Sequence, residues 1–469
     1  MDVSGVKRMA DGSDTGLTDL GLIEMARLIA DGTVSAEDAT RACLARIDQC
    51  EGDIGAWAHL DADYALTQAR ALDAHRQSGR PLGALHGVPI GVKDIIDVRG
   101  LPCERGTVLD SGRRPDVDAM VVARLRAAGA VILGKTVTTE LALYQPGKTR
   151  NPHDLTRTPG GSSSGSAAAV AARMIPAAVG SQTNGSIVRP ASFCGVYGFK
   201  PSMGLVSRRG VLTLSPALDT IGPLARSLED AALLADVIAG YDPSDSSMTP
   251  SGPPAFLETA RTDPPVRPAI AFVKTPVWDR ADADTRAGFA ELCDALGDVD
   301  EVDLPEPFDR ALDLHHAVMG AEAARYYAHY YEKGADRLSD KLRAIIEDGQ
   351  KILAVDYMLA REWIAILNAA LEQIFDRYDA ILTPAAAGEA PAAEVTGDPA
   401  FCTTWTYCGV PAVSLPLLVG ENGLPIGAQL VGRHGQDGRL LRTARWLVAQ
   451  VTQSEGEPAR IGEESAHVD

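Results

Sequence analysis

The sequence predicts an α/β protein with a layered core, and three observations carry that prediction. Short runs dense in β-branched residues alternate with stretches whose apolar spacing is helical. Strand signals begin in the N-terminal half, stop, and resume near the C-terminus. Between them lies a mostly helical insertion, residues 281–378, preceded by a Pro/Ser-rich boundary at 245–265. A core begun by one half of the chain and finished by the other belongs to one domain rather than two. At 469 residues the chain is long enough to fill it.

In chain order, residues 1–16 read as a loose tail without the apolar stretch of a secretory signal. From Leu17 to Ser78 the spacing is helical. "LTDLGLIEMARLIADG" is followed by "SAEDATRACLARIDQ", where Ser35 can cap and Asp38 sits three residues on. "HGVPIGVKDIIDV" is dense in β-branched residues, "DAMVVARLRAAG" is helical, and "AVILG" reads as a short buried strand. Another helix and a Pro/Gly-rich loop are expected before "TPGGSSSGSA", residues 158–167. "AAAVAARMI" is then helical and "PAAVGSQT" extended. After the helical insertion, strands are expected at "YDAILTPA", "AVSLPLLVG" and "IGAQLVG", and a last helix at "DGRLLRTARWLVAQ". The domain spans 17–450, and residues 451–469 form a polar tail.

Composition excludes some functions. Lys and Arg total 44 against 63 Asp and Glu, a net charge of −19. Phosphate would be repelled over most of the surface, so neither nucleic acid nor an anionic membrane is an expected partner. No apolar run approaches the roughly 20 residues that span a bilayer. Seven cysteines are scattered without CxxC pairs, which reads as reduced thiols in a cytoplasmic protein with no metal site.

Three readings compete for the glycine-rich segments. "GAVILGKT", Gly129 to Thr136, satisfies the phosphate-loop pattern G-x-x-x-x-G-K-[ST]. That loop needs a strand before its first glycine and amides curled toward phosphate after it. Here a helix precedes Gly129, which sits where a C-capping glycine belongs, and Ala-Val-Ile-Leu favours a buried strand. "GSSSG", Gly161 to Gly165, matches the nucleophile elbow G-x-S-x-G with Ser163 at its centre. An elbow follows a strand and needs a later acid and histidine. What leads in is the loop "YQPGKTRNPHDLTRTP", so the elbow stays only as a rival. A flexible linker fails too, because the segment runs straight into the helix former "AAAVAA".

Taken together, "GGSSSGSAAAVAARMIPAAVGSQTNGSIVRPASFCGVYGFKPS" resembles the signature region of the amidase-signature family, serine hydrolases of amide bonds. The resemblance extends to "LHGVPIGVKDIIDV", "LRAAGAVILGKTVTTELA", "TIGPLARSLEDAALLADVIAG" and "YCGVPAVSLPLLVGENGLPIGAQLVG", covering about residues 17–450. It implies a mixed β-sheet core covered by helices on both faces. It also implies a catalytic Lys93, Ser162 and Ser186. Ser186 corresponds to the acylated nucleophile, Ser162 to a serine after a cis peptide bond, and Lys93 to the base. The turn Thr183, Asn184, Gly185, Ser186 looks like the family's oxyanion hole, although most relatives have glycine where this chain has Asn184. No metal and no cofactor are implied.

A serine hydroxyl is a weak nucleophile until a base takes its proton, and a departing amine needs one returned. A relay through Ser162 and Lys93 does both, provided Lys93 is neutral at rest. The apolar "VPIGVKDII" would lower its pKa by burial, although an outward-facing strand lysine is the plainer reading of those residues alone. Arg189 has two readings. In malonamidases, which resemble this segment, a matching arginine contacts the substrate carboxylate; the alternative is an arginine that holds the loop. Met319, Tyr326 and Tyr330, with Tyr327 and Tyr331 beside them, are either packing residues or an aromatic wall at the substrate entrance. His315 and His316 offer no ligand spacing.

The expected function is cleavage of the C–N bond of a small or aromatic amide, anilide or carbamate through a Ser186 acyl-enzyme. The alternative is the amidase subunit of a glutamyl-tRNA amidotransferase. Gln182 and Asn184 stand where that subunit usually has aspartate and glycine, which counts against it. A homodimer is left open.

Overall fold

The computed structural model describes residues 16–454, and among them eleven strands form one mixed sheet. In chain order they are β1 (Trp57–Leu60), β2 (Pro89–Lys93), β3 (Val131–Thr136), β4 (Ala177–Gln182), β5 (Tyr197–Lys200), β6 (Thr220–Ala225), β7 (Ile270–Phe272), β8 (Val299–Glu301), β9 (Ala380–Pro384), β10 (Ala412–Val419) and β11 (Pro425–Val431). Across the sheet the order is β1-β3-β2-β4-β6-β5-β10-β11-β9-β7-β8. β3, β2 and β4 run parallel, the stretch from β4 through β9 is antiparallel, and β9, β7 and β8 are parallel again. Every residue of β2, β3 and β4 is buried. Both faces of the sheet are therefore covered there, as its continuous apolar runs require.

The expected strands at both ends of the chain are present, and Ser35 caps the helix Ala36–Ile54 by accepting from Asp38 N. Gly129 ends the helix Met120–Ala127 with φ +82°, and the chain enters β3 directly. Five differences stand out. β5, β6 and β7 are strands where the residue pattern names none. The helical spacing from Leu17 to Ser78 is interrupted by β1, whose four residues are too few for a period to register. The helix expected before the serine segment is only a short 3-10 turn, Glu140–Ala142, with Leu141 at φ 45°. The tract 281–378 contains β8, a sheet-edge strand whose "VDE" carries no alternation. The last helix, Asp437–Ser454, continues past residue 450 into the expected polar tail. The rest of that tail, and residues 1–15, lie outside the described residues.

Candidate active site

β2 and β4 are parallel neighbours, so their carboxyl ends open on the same side of the sheet, where such sheets place ligands. Lys93 ends β2, and Ser181 is the penultimate residue of β4. Ser162 and Ser163 immediately precede the helix Ser164–Ala171, and the Gly161–Ser162 peptide bond is cis. The approach of this turn to β4 demands glycine at 180, where a Cβ would come within 2.8 Å of Ser163 Oγ.

Lys93 is fully buried. Its Nζ lies 2.7 Å from Ser162 Oγ, 2.8 Å from Ser181 Oγ and 3.0 Å from Ser163 Oγ, with the Ser181 carbonyl at 3.5 Å. These partners are neutral. Burial holds its pKa well below the usual lysine value; Asp219 opposes the shift and Arg189 adds to it. Ser163 Oγ accepts from Ser181 N at 3.2 Å and donates to the Ser181 carbonyl at 3.1 Å. The centre of the apparent elbow is thus tied to β4, and together with Ser181 it forms the part of the lysine's surroundings that motif reading misses.

The turn Thr183–Ser186 links β4 to the helix Val188–Phe193. Gln182 Oε1 accepts from Ile187 N at 2.8 Å and Val188 N at 3.0 Å, fixing the helix start. The Thr183 carbonyl accepts from His315 Nε2 at 3.0 Å. Burial pushes the His315 ring down to about 3, so it is neutral and carries its proton on Nε2. Thr183 Oγ1 donates to Asp219 Oδ1 at 2.6 Å, and Thr406 Oγ1 donates to the Asn184 carbonyl. With their carbonyls and the Thr183 and Asn184 side chains engaged, the amides of residues 183–186 have no hydrogen-bond acceptor among the described residues. Such a row of free amides suits a developing oxyanion.

Asn184 has no positive φ, so its replacement of glycine adds no backbone strain. Its side chain instead accepts from Thr403 Oγ1 at 2.6 Å and donates to Tyr144 Oη at 3.2 Å. Gly185 is confined, since a Cβ there would meet Arg189, Cys402 and Pro399 at 3.2 Å. Ser186 is 7% exposed and shares a small cavity with Asn184, Arg189 and Met319. Ser186 makes no hydrogen bond to Ser162 among the described residues; instead its carbonyl accepts from Ser163 N at 3.3 Å.

Arg189 is 2% exposed and donates through Nη2 to the Gly161 carbonyl at 2.7 Å. Its Nε and Nη1 are buried without a partner among the described residues. Both readings of this arginine therefore have a physical basis in different atoms of one guanidinium. The aromatic residues also divide. Met319 lines the Ser186 cavity and Tyr326 a neighbouring one. Tyr327 is buried and donates to the Leu141 carbonyl at 2.8 Å, while Tyr330 donates to Asp110 at 2.6 Å. Tyr331 turns to Glu347. His315, which the sequence offers no reason to select, buttresses the turn.

Residues 38–441 match the amidase family model. The chain belongs to the amidase family. Among curated relatives it is 36% identical to the A subunit of a glutamyl-tRNA(Gln) amidotransferase from Chloroflexus aurantiacus, over 88% of this chain and 93% of the relative. It is 34% identical to the protein of that name from Salinispora arenicola, over 93% and 98%. Among solved structures it resembles 6-aminohexanoate cyclic dimer hydrolase, with TM-score 0.82 and 26% identity over 94% of this chain and 99% of that one. A chain from the solved structure of a vestigial protein complex that reveals the evolutionary origins of an s-triazine catabolic enzyme superposes with TM-score 0.86 and 29% identity, covering 93% of this chain and 99% of that one. The amidase-signature fold and amidase-type hydrolase chemistry follow from this membership.

Proposed function

We propose that the protein hydrolyses the amide of a small acyl group that carries a carboxylate, through an acyl-enzyme on Ser186. The observation that carries the substrate class is the unpartnered Nη1 of buried Arg189 beside the Ser186 cavity. A buried cation with an open donor is costly until an anion meets it, and a guanidinium suits a carboxylate. The acyl group must be small. The cavity holds about 10 Å³, room for one water, and enlarges only if a lining residue such as flexible Met319 shifts.

In the mechanism Ser186 attacks the carbonyl while its proton passes to Ser162 and from Ser162 to Lys93. The hydrogen-bond inventory supports that direction. A neutral lysine has two N–H donors and one lone pair. Ser163 Oγ spends its own proton on the Ser181 carbonyl, so it accepts from Lys93, and Ser181 Oγ takes the second N–H. The lone pair is left for the proton of Ser162, the nearest hydroxyl. The Ser162–Ser186 contact closes on substrate binding, as catalytic hydrogen bonds often do. The relay then returns the proton to the departing nitrogen, and water repeats the cycle. No step requires a metal or cofactor.

A second reading, glutamine hydrolysis as the amidase subunit of an amidotransferase, has the better support among the curated relatives, which bear that name. The argument against it from Gln182 and Asn184 weakens, because both side chains fit the turn without strain. Glutamine also carries a carboxylate for Arg189. Assays on dicarboxylic monoamides, glutamine and uncharged amides test both readings, with gel filtration of the isolated chain to show whether it stands alone. Loss of the preference for carboxylate-bearing substrates in Arg189→Met supports the proposal. Equal turnover of charged and uncharged amides by the unmodified protein overturns it.

A further inference from the structure

A second cavity, about 250 Å³, adjoins the Ser186 cavity and shares Ala142, Thr183 and Leu214 with it. Ser181, a hydrogen-bond partner of Lys93, lines this cavity and is absent from the lining of the Ser186–Arg189 one. A hydroxyl that holds the relay lysine therefore borders the larger space, while the carboxylate-seeking Arg189 borders the smaller one beside Ser186. We propose that this larger cavity is the leaving-group subsite, and that it accepts a neutral alkyl or aryl amine rather than ammonia alone. The proposal rests on the acyl-enzyme reading above and extends it to the other side of the scissile bond.

The lining chemistry sets the class of amine. Val211, Leu212, Leu214 and Ile221 supply an apolar wall, which suits a hydrocarbon body. The cations at this cavity are already matched. Arg208 pairs with Asp245 at 2.9 Å and Arg209 with Asp242 at 3.0 Å. Asp219 is the remaining carboxylate of the lining, held by Thr183 Oγ1 and by the amides of Leu214 and Ser215 at 2.9 Å each. Burial raises its pKa to about 6, so it is predominantly ionised at neutral pH. An amine carrying its own carboxylate is disfavoured beside it.

The test holds one acyl acid constant and varies the nitrogen substituent among hydrogen, butyl, phenyl and carboxymethyl. Butyl and phenyl amides are expected to be hydrolysed with kcat/KM within about tenfold of the primary amide, and the carboxymethyl amide far more slowly. Val211→Trp, which fills the cavity from a partly exposed position, should lower the phenyl-to-primary ratio of kcat/KM by at least about tenfold. A second measurement does not depend on the carboxylate reading. Acetyl-enzyme formed from p-nitrophenyl acetate should partition to added butylamine or aniline in preference to glycine. In that step the amine nitrogen bonds the acyl carbon, the bond to Ser186 Oγ breaks, and the amine's proton passes through Ser162 and Lys93 to Ser186. Turnover of primary amides alone, with no transfer to either amine, overturns the proposal. So does a Val211→Trp protein that changes preference among acyl groups while the leaving group is held constant. Absence of hydrolysis of any carboxylate-bearing amide, with transfer to amines intact, sinks the acyl reading and leaves the subsite standing.

Discussion

Two lysines end up buried on neighbouring strands of the same sheet, and their surroundings differ in one respect. Lys135 on β3 meets the carboxylate of Asp94 at 2.8 Å, with both side chains almost completely out of solvent. Lys93 on β2, one position along from the Val92↔Lys135 register pair, meets three hydroxyls instead. A carboxylate partner favours the ammonium form, whereas hydroxyls leave the cost of burying the charge uncompensated. Depth alone does not make a base. The neutrality of the partners does, and that separates a lysine available for proton transfer from one that fastens the β2–β3 edge. The same pairing disposes of "GAVILGKT" as a phosphate loop, because its lysine is committed to Asp94 inside the sheet.

The largest expected effect tests this contrast directly. Lys93→Ala should lower kcat/KM on an unactivated amide by about 10²–10⁴-fold or more, because activation and leaving-group protonation both pass through it. Its circular dichroism and denaturant midpoint should stay close to those of the parent. Near-normal activity in a folded Lys93→Ala protein would show that the two lysines are equivalent and that the relay is wrong.

Lys135→Met should do the reverse. It strands Asp94, whose other oxygen is held by the amides of Glu104 and Arg105 at 3.1 and 3.0 Å, as a buried carboxylate without a countercharge. Breaking one side of such a pair costs about 3–5 kcal/mol, read as a lower urea midpoint. Activity per folded molecule should survive. A Lys135→Met protein as stable as the parent would mean that the carboxylate, not the lysine, carries the structural role.

How far the sequence reveals this contrast depends on what each feature requires. Strand and helix patterns are local, and they place Lys93, Ser162 and Ser186 on a strand end and two turns. β2, β3 and β4 are legible because strands buried on both faces are continuously apolar. β1, β5, β7 and β8 are not, because three or four residues carry no period, and β6, "TIGPLA", is broken by a glycine and a proline. At the site, the resemblance singles out the three catalytic candidates and the Thr183–Ser186 turn. It is silent on Ser163, Ser181, Asp219 and His315. Their contributions come from contacts up to 132 residues apart in sequence, such as His315 to the Thr183 carbonyl. The signals that mark them, a serine tied to its neighbouring strand and a neutral buried imidazole, exist only after folding.

pH should separate the lysines again. In the proposed relay deprotonated Lys93 is the active form, so kcat/KM should rise with pH and level off below the usual lysine value, following the downward shift from burial. Stability is linked in the same sense. A lysine kept neutral by the fold destabilises it increasingly as pH falls from the unfolded value, about 10.4, toward the folded one, and the penalty vanishes above about 10.4. Lys93→Met should therefore gain stability relative to the parent at neutral pH and lose that gain near pH 11. A gap independent of pH would mean that Lys93 is charged in the folded protein.

The smallest expected effect lies in the hydroxyls that hold Lys93. Ser163 Oγ is fixed by both the amide and the carbonyl of Ser181, so it presents only acceptor capacity to the lysine. Ser163→Ala removes one of the two places where neutral Lys93 can put an N–H, and it frees the amine to rotate its lone pair away from Ser162. The loss is one hydrogen bond's worth of orientation, about 1 kcal/mol, or a fall of five- to tenfold in kcat with KM little changed. Ser162→Ala removes a member of the proposed relay and should cost far more. The ratio between the two is the informative quantity, because a nucleophile elbow centred on Ser163 would invert it. Fluorophosphonate labelling probes the same point by another route. It should persist in Ser163→Ala and disappear in Ser186→Ala. Labelling lost with Ser163 and kept without Ser186 would move the nucleophile to the other turn and undo the assignment of Lys93 along with it.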